Sequence, residues 1–154
     1  MRRLALILLL YPMWVAMMAV HEAGHCLNAC FSGGRVESVT LPLLGFSRTD
    51  LSRNPHPQFV AWGGPLWGVL IPVALLLLTR LALPRAARAA AVFAGFCLVA
   101  NGAYIGLGPF MTAGDGHDLL RHGAPSWTLI LFGVTAFSAG LYLWHRAGSS
   151  SLRK

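Results

Sequence analysis

Residues 4–20, LALILLLYPMWVAMMAV, carry no charge, and HEAGH follows them directly at residues 21–25. A helix crosses a ~30 Å hydrocarbon core in ~20 apolar residues. An ionisable side chain inside that core is costly, so such residues are rare there and usually functional. A chain with this stretch must place His21, Glu22 and His25 at the end of an apolar helix. Such a placement points to a site that uses them.

Composition extends the membrane reading to the rest of the chain. Of 154 residues, 56% are apolar and 11% charged, against about 25% charged in a soluble domain. The apolar residues fall in long runs rather than amphipathic stripes. Four candidate spans follow, about Leu4–Phe31, Gln58–Leu83, Ala87–Leu107 and Trp127–His145. The expected fold class is an all-α polytopic membrane protein, one membrane-embedded domain over residues 1–154. Its core covers about residues 4–122, with an extra C-terminal span about 127–145 and a flexible polar tail 146–154. Residues 1–20 read as a span rather than a cleaved leader, because no A-x-A-like site follows and cleavage would fall at His21-Glu22.

The net charge of +7 does not point to nucleic acid. The basic residues lie scattered at span ends, with no patch and no interleaved aromatics. Eight of the twelve (Arg2, Arg3, Arg80, Arg85, Arg88, Arg146, Arg153, Lys154) fall on the side of the termini, and Arg35, Arg48, Arg53 and Arg121 on the other. The positive-inside rule then puts both termini in the cytoplasm, and the expected location is a bacterial cell membrane. Cys26, Cys30 and Cys97 lie within spans, offer no disulfide framework and read as packing residues.

Successive helical residues advance by about 100°, so His21 and His25 share one face, one turn apart. Two such imidazoles can bind one zinc ion, with Glu22 beside them to act on a water. Cys26 and Cys30 point well away from that face, while Asn28 returns to it and could support a ligand or hold a water. A catalytic zinc takes a third protein ligand and leaves its fourth position open. Candidates for the third are few: Asp115 and Asp118 in GDGHDLL, with His117 between them and His122 nearby, and elsewhere Glu37, Asp50, His56 and His145. A carboxylate that begins a short apolar helical stretch is the best placed. The other account of the pair is two core histidines satisfied by carbonyls, with Glu22 bonded to Arg or Asn. Inside a span the cost of three ionisable groups weighs against it.

These residues resemble the site-2 proteases, zinc metalloproteases that cut peptide bonds inside the membrane. HEAGH is similar to that family's H-E-x-x-H signature, with Gly24 before the second His. NGAYIGLGPFMTAGDGHDLL is similar to its second signature, an Asn with a nearby Pro and then Asp-Gly before apolar residues: Asn101, Pro109, Asp115-Gly116, Leu119, Leu120. GGPLWG (Gly63–Gly68) looks like the small-residue motif of the family's middle helix. GGRVESVTLPLLGFSRTD looks like the short β-hairpin that joins the first two helices. The resemblance spans about residues 14–120. It implies one zinc ion per chain on His21, His25 and Asp115, with Glu22 as catalytic base and Asn101 near the site. Asp118 remains an alternative ligand. Tyr104 departs from the family, standing where many members have Pro after the Asn. In many members the zinc lies nearer the cytoplasmic face, whereas the charge count puts the His21–His25 end outside.

The implied substrate is a membrane protein with a transmembrane segment, met in the lipid bilayer; oligomeric state is left open. Zinc would bring the pKa of its water towards about 7. Glu22 would move the proton to the leaving amine, and Asn101 or His117 would help the oxyanion. In RVESVTL, Glu37, Val39 and Leu41 alternate with Val36, Ser38 and Thr40, a strand-like pattern. Its edge would pair with an unwound substrate. Gly63, Gly64, Gly68, Gly95 and Gly102 read as helix-packing residues. Three rivals stand beside this reading. A non-proteolytic metal-binding relative that binds other membrane segments leaves Glu22 without a purpose. An ion transporter lacks an internal repeat. A serine protease would have only Ser138 with His145.

Overall fold

In the computed structural model, which describes residues 2–149, the apolar runs form helices α1 (Arg2–Phe31), α2 (Pro57–Ala82), α3 (Ala87–Gly106) and α5 (Ser126–Ser149). A short α4 (Asp115–Arg121) follows a 3-10 turn at Gly108–Phe110. Each boundary has a local cause. α1 ends where Gly33 takes a left-handed φ of 73° and the Gly34 N–H reaches back to the Ala29 carbonyl at 2.7 Å. This is the usual glycine stop. Proline, which has no N–H to lose, opens α2 at Pro57.

The expected hairpin is present. β1 (Arg35–Thr40) and β2 (Arg48–Arg53) pair antiparallel, with Val39 opposite Thr49 and register irregularities around Val36. They form a two-stranded sheet, so among the described residues β1 keeps one edge unpaired.

Among the described residues, three helices are long and apolar enough to cross a membrane: Pro57–Ala82, Ala87–Phe110 and Ser126–Ser149. The sequence suggested a fourth, the first. α1 has 30 residues and is not among these three. Residues 146–149 of the expected flexible tail belong to α5. Apolar surroundings favour a helix that satisfies its own backbone. Residues 150–154 lie outside the described residues.

α2 packs against both α1 and α3, and α5 covers the far side of α3. Small residues set the spacing: a Cβ on Gly102 would stand 2.7 Å from the Phe137 nitrogen of α5. Leu77, Leu78 and Leu81 of α2 and Leu131 and Val134 of α5 are exposed, as suits surfaces facing lipid. Met17, Met18 and Cys97 form a buried cluster between α1 and α3. Directly beyond it on α1 come His21, Glu22 and His25, all buried.

Candidate metal centre

Three helices and the hairpin supply the polar groups around HEAGH. His21 and His25 sit one turn apart on α1, with ring centroids 4.9 Å apart and planes at 73°. Each ring is held at its far nitrogen. Nδ1 of His21 lies 2.7 Å from Oδ1 of Asn101 on α3, and Nδ1 of His25 lies 2.8 Å from the Val60 carbonyl on α2. Both partners are oxygen acceptors, so both Nδ1 atoms carry the proton. A Gly64 N–H also lies near Nδ1 of His25, at 3.3 Å; the shorter bond sets the tautomer. Each Nε2 lone pair is left to face the same point. Acceptors of this kind, on carbonyls and polar side chains, are how metal-binding imidazoles are oriented.

Asp115 closes the point from the third side. It is the first residue of α4, after Gly114 at φ 87°, where Tyr104 comes so close that a Cβ would collide with its hydroxyl. The Asp115 N–H donates to that hydroxyl at 3.1 Å. Oδ2 of Asp115 stands 2.7 Å from Nε2 of His21 and 3.2 Å from Nε2 of His25. Burial alone would push the Asp115 carboxyl up, but a proton shared with Nε2 of His21 and His25 overrides it and holds the group well below the usual carboxylate range.

This donor set fits a zinc ion. Three acceptor atoms face one another, and a cation between them, proton or metal, is what relieves that arrangement. Two Zn–N bonds of ~2.0–2.1 Å at a tetrahedral angle separate their nitrogens by roughly 3.3 Å; the two Nε2 atoms are 3.2 Å apart. The chain also clears the space. A Cβ on Gly64 of α2 would run into Nε2 of both histidines, and one on Gly68 would stand 2.8 Å from Oδ1 of Asn101. These two glycines, which read as packing residues, line the site. Gly63 keeps the packing role, with its Cβ position against Gly24 and Asn28 of α1.

Glu22 turns the other way, towards the hairpin. One carboxylate oxygen accepts from the Ser47 hydroxyl at 2.6 Å and the other from the Thr49 hydroxyl at 2.5 Å. Ligand atoms of His21, Glu22 and His25 nevertheless lie within 4.8 Å of one another. The loop before Ser47 is pinned across the site: the Tyr11 hydroxyl donates to the Leu43 carbonyl at 3.1 Å, and Phe46 stacks on Tyr104 and meets the edge of Trp14. A groove of about 480 Å³ runs along α1 past Cys30, Cys26 and Ala23 to Glu22, with Val39 of β1 on its wall.

Not every expected residue joins the centre. Asn28 spends its amide on α2, donating to the Phe59 carbonyl at 2.7 Å and accepting from the Trp67 indole at 3.0 Å. It ties the two helices together and touches neither histidine. Asn101 holds His21 and also donates to the Cys97 carbonyl at 2.9 Å, which makes it a support for the His21 ring. His117 and Asp118 make no hydrogen bond or ion pair with the site among the described residues. On α4 His117 stands about 160° from Asp115 around the axis and Asp118 about 60°, and Asp118 is exposed. The three cysteines are free; Cys97 is buried as a packing residue, whereas Cys26 is half-buried and Cys30 exposed along the groove.

Sequence reasoning missed Ser47 and Thr49. Their two-residue spacing, which puts two side chains on one side of an extended strand, was the available signal. Among characterised proteins and solved structures no significant match is found. A protein-family model described as Peptidase M50B-like matches residues 4–105, a stretch that includes HEAGH, the Gly63–Gly68 motif and Asn101 and stops short of Asp115. The chain therefore belongs to the Peptidase M50B-like family, and with it to the site-2 protease group that its motifs resemble.

Proposed function

We propose that this integral membrane protein is a zinc-dependent endopeptidase that cuts peptide bonds within or beside the transmembrane segments of other membrane proteins. One observation carries it. His21, His25 and Asp115 bring three acceptor atoms together beside the Glu22 carboxylate, in a member of a peptidase family. His21, His25 and Asp115 would hold one zinc ion, which supplies a Lewis acid for a carbonyl and a water whose pKa falls to about 7.

The chain's own groups do the rest. The Glu22 carboxylate takes the proton of the attacking water and delivers it to the leaving amine. Asn101 and the Val60 carbonyl keep His21 and His25 turned to one point. A substrate helix hides its carbonyls in its own hydrogen bonds and must unwind before it can be cut. The unpaired edge of β1 offers replacement backbone partners. The apolar groove beside Val39 and Glu22 receives the unwound segment's side chains.

The test is cleavage of a quenched-fluorescence peptide with an apolar transmembrane sequence by the purified zinc-loaded protein. Glu22→Gln is expected to lower kcat by about 10²–10⁴, the usual contribution of a positioned general base, while zinc content stays unchanged. A wild type that binds zinc and cuts neither this peptide nor any membrane segment offered would favour the non-proteolytic metal-binding relative instead.

A further inference from the structure

We infer that Ser47 and Thr49 are positioning residues for Glu22, so that the β-hairpin aims the catalytic base. The inference rests on the proposed role of Glu22 as base. Glu22 is only 3% exposed, and a buried carboxylate needs partners. Arg or Lys would be the common choice, yet the ion pairs among the described residues leave Glu22 aside; they join the two histidines to Asp115 and Arg48 to Asp50. Its partners are two neutral hydroxyls, one on each oxygen, at 2.6 and 2.5 Å. Such lengths match hydroxyls donating to a carboxylate, roughly 2.5–2.7 Å.

The donors have a geometric consequence: two hydroxyls, one on each oxygen, fix the plane of the carboxylate. Each carboxylate oxygen has about two acceptor positions, so one hydroxyl per oxygen leaves a position free on each. The donors also come from the right place. Thr49 lies on β2 opposite Val39 of β1, and Ser47 ends the loop held by the Tyr11, Trp14 and Tyr104 contacts. Whatever seats against β1 therefore presses on the strand that holds the base.

The experiment uses the full-length protein in lipid vesicles, comparing wild type, Ser47→Ala/Thr49→Val, Thr49→Val alone and Thr49→Ser. Val keeps the shape of Thr and removes its hydroxyl, which guards against a folding failure in the double variant. Zinc per chain is expected to stay at the wild-type value in all four. With the quenched-fluorescence peptide, kcat should fall about tenfold for each hydroxyl lost, as for a hydrogen bond to a charged group, with KM unchanged. Thr49→Ser should restore it.

A second readout needs no substrate. The chain has only five acidic residues, so a difference infrared spectrum against Glu22→Gln isolates the Glu22 carboxylate stretch. That band should move in Thr49→Val and return in Thr49→Ser. An unmoved band, or unchanged kcat in the double variant, overturns the inference. A wild type that cuts nothing while the band still moves would discard the protease reading and leave the positioning role standing.

Discussion

The two halves of the site are held by different kinds of structure. The three candidate ligands are fixed by helices: His21 by Asn101 of α3, His25 by Val60 of α2, and Asp115 by the start of α4 against Tyr104. Glu22, the proposed base beside them, is held by a two-stranded hairpin whose first strand is largely exposed. Helix packing resists small displacements because interiors are close-packed, whereas a two-stranded sheet alone is marginal. Metal retention and base orientation should thus respond to different substitutions. In the proposed protease, such a division would let the hairpin adjust to an unwound segment without disturbing the ligand cage.

The sharpest way to break the comparison is at Gly64, which belongs wholly to the rigid half. Gly64→Ala places a methyl against both Nε2 atoms, and the rings cannot retreat because their Nδ1 atoms are held. Overpacking of this kind costs about 1–3 kcal/mol. The expected outcome is loss of bound zinc with the helices still formed, read by metal analysis and circular dichroism together. Full zinc content in this variant would mean that the rings have more freedom than their bonds suggest. A smaller effect is expected at Asn101→Ala, which removes the support of His21 and leaves the ligands in place. Loss of such supports costs about 10–100-fold in metal affinity, measurable by competition with a chelator.

The smallest effect belongs to the adjustable half. Val39→Pro on β1 should leave zinc affinity unchanged and reduce peptide cleavage, because proline removes a backbone donor from the strand. Cleavage equal to wild type would remove β1 as the substrate's docking edge.

Much of the rigid half was legible in the sequence. The spacing of His21 and His25 fixes their shared helical face, and Asp115, at the start of a short helix, lies against both rings. The hairpin too was expected, from the family resemblance of GGRVESVTLPLLGFSRTD and the alternation in RVESVTL. What could not be read is whatever depends on pairings distant along the chain. Ser47 and Thr49 are ordinary hydroxyls until the hairpin folds back over α1. Gly64 and Gly68 act by lacking a side chain, and an absence carries no chemical signature to separate a site-lining glycine from a packing one. Asn28 lay on the correct face yet turned to α2, because Phe59 and Trp67 offered it closer partners.

The most direct test of the account is the zinc content of the detergent-purified protein, measured for the wild type, Asp115→Ala and Asp118→Ala. The account predicts about one zinc per wild-type chain, loss of that zinc with Asp115→Ala, and retention with Asp118→Ala. A folded wild type without zinc, or a metal lost with Asp118 and kept without Asp115, would contradict it.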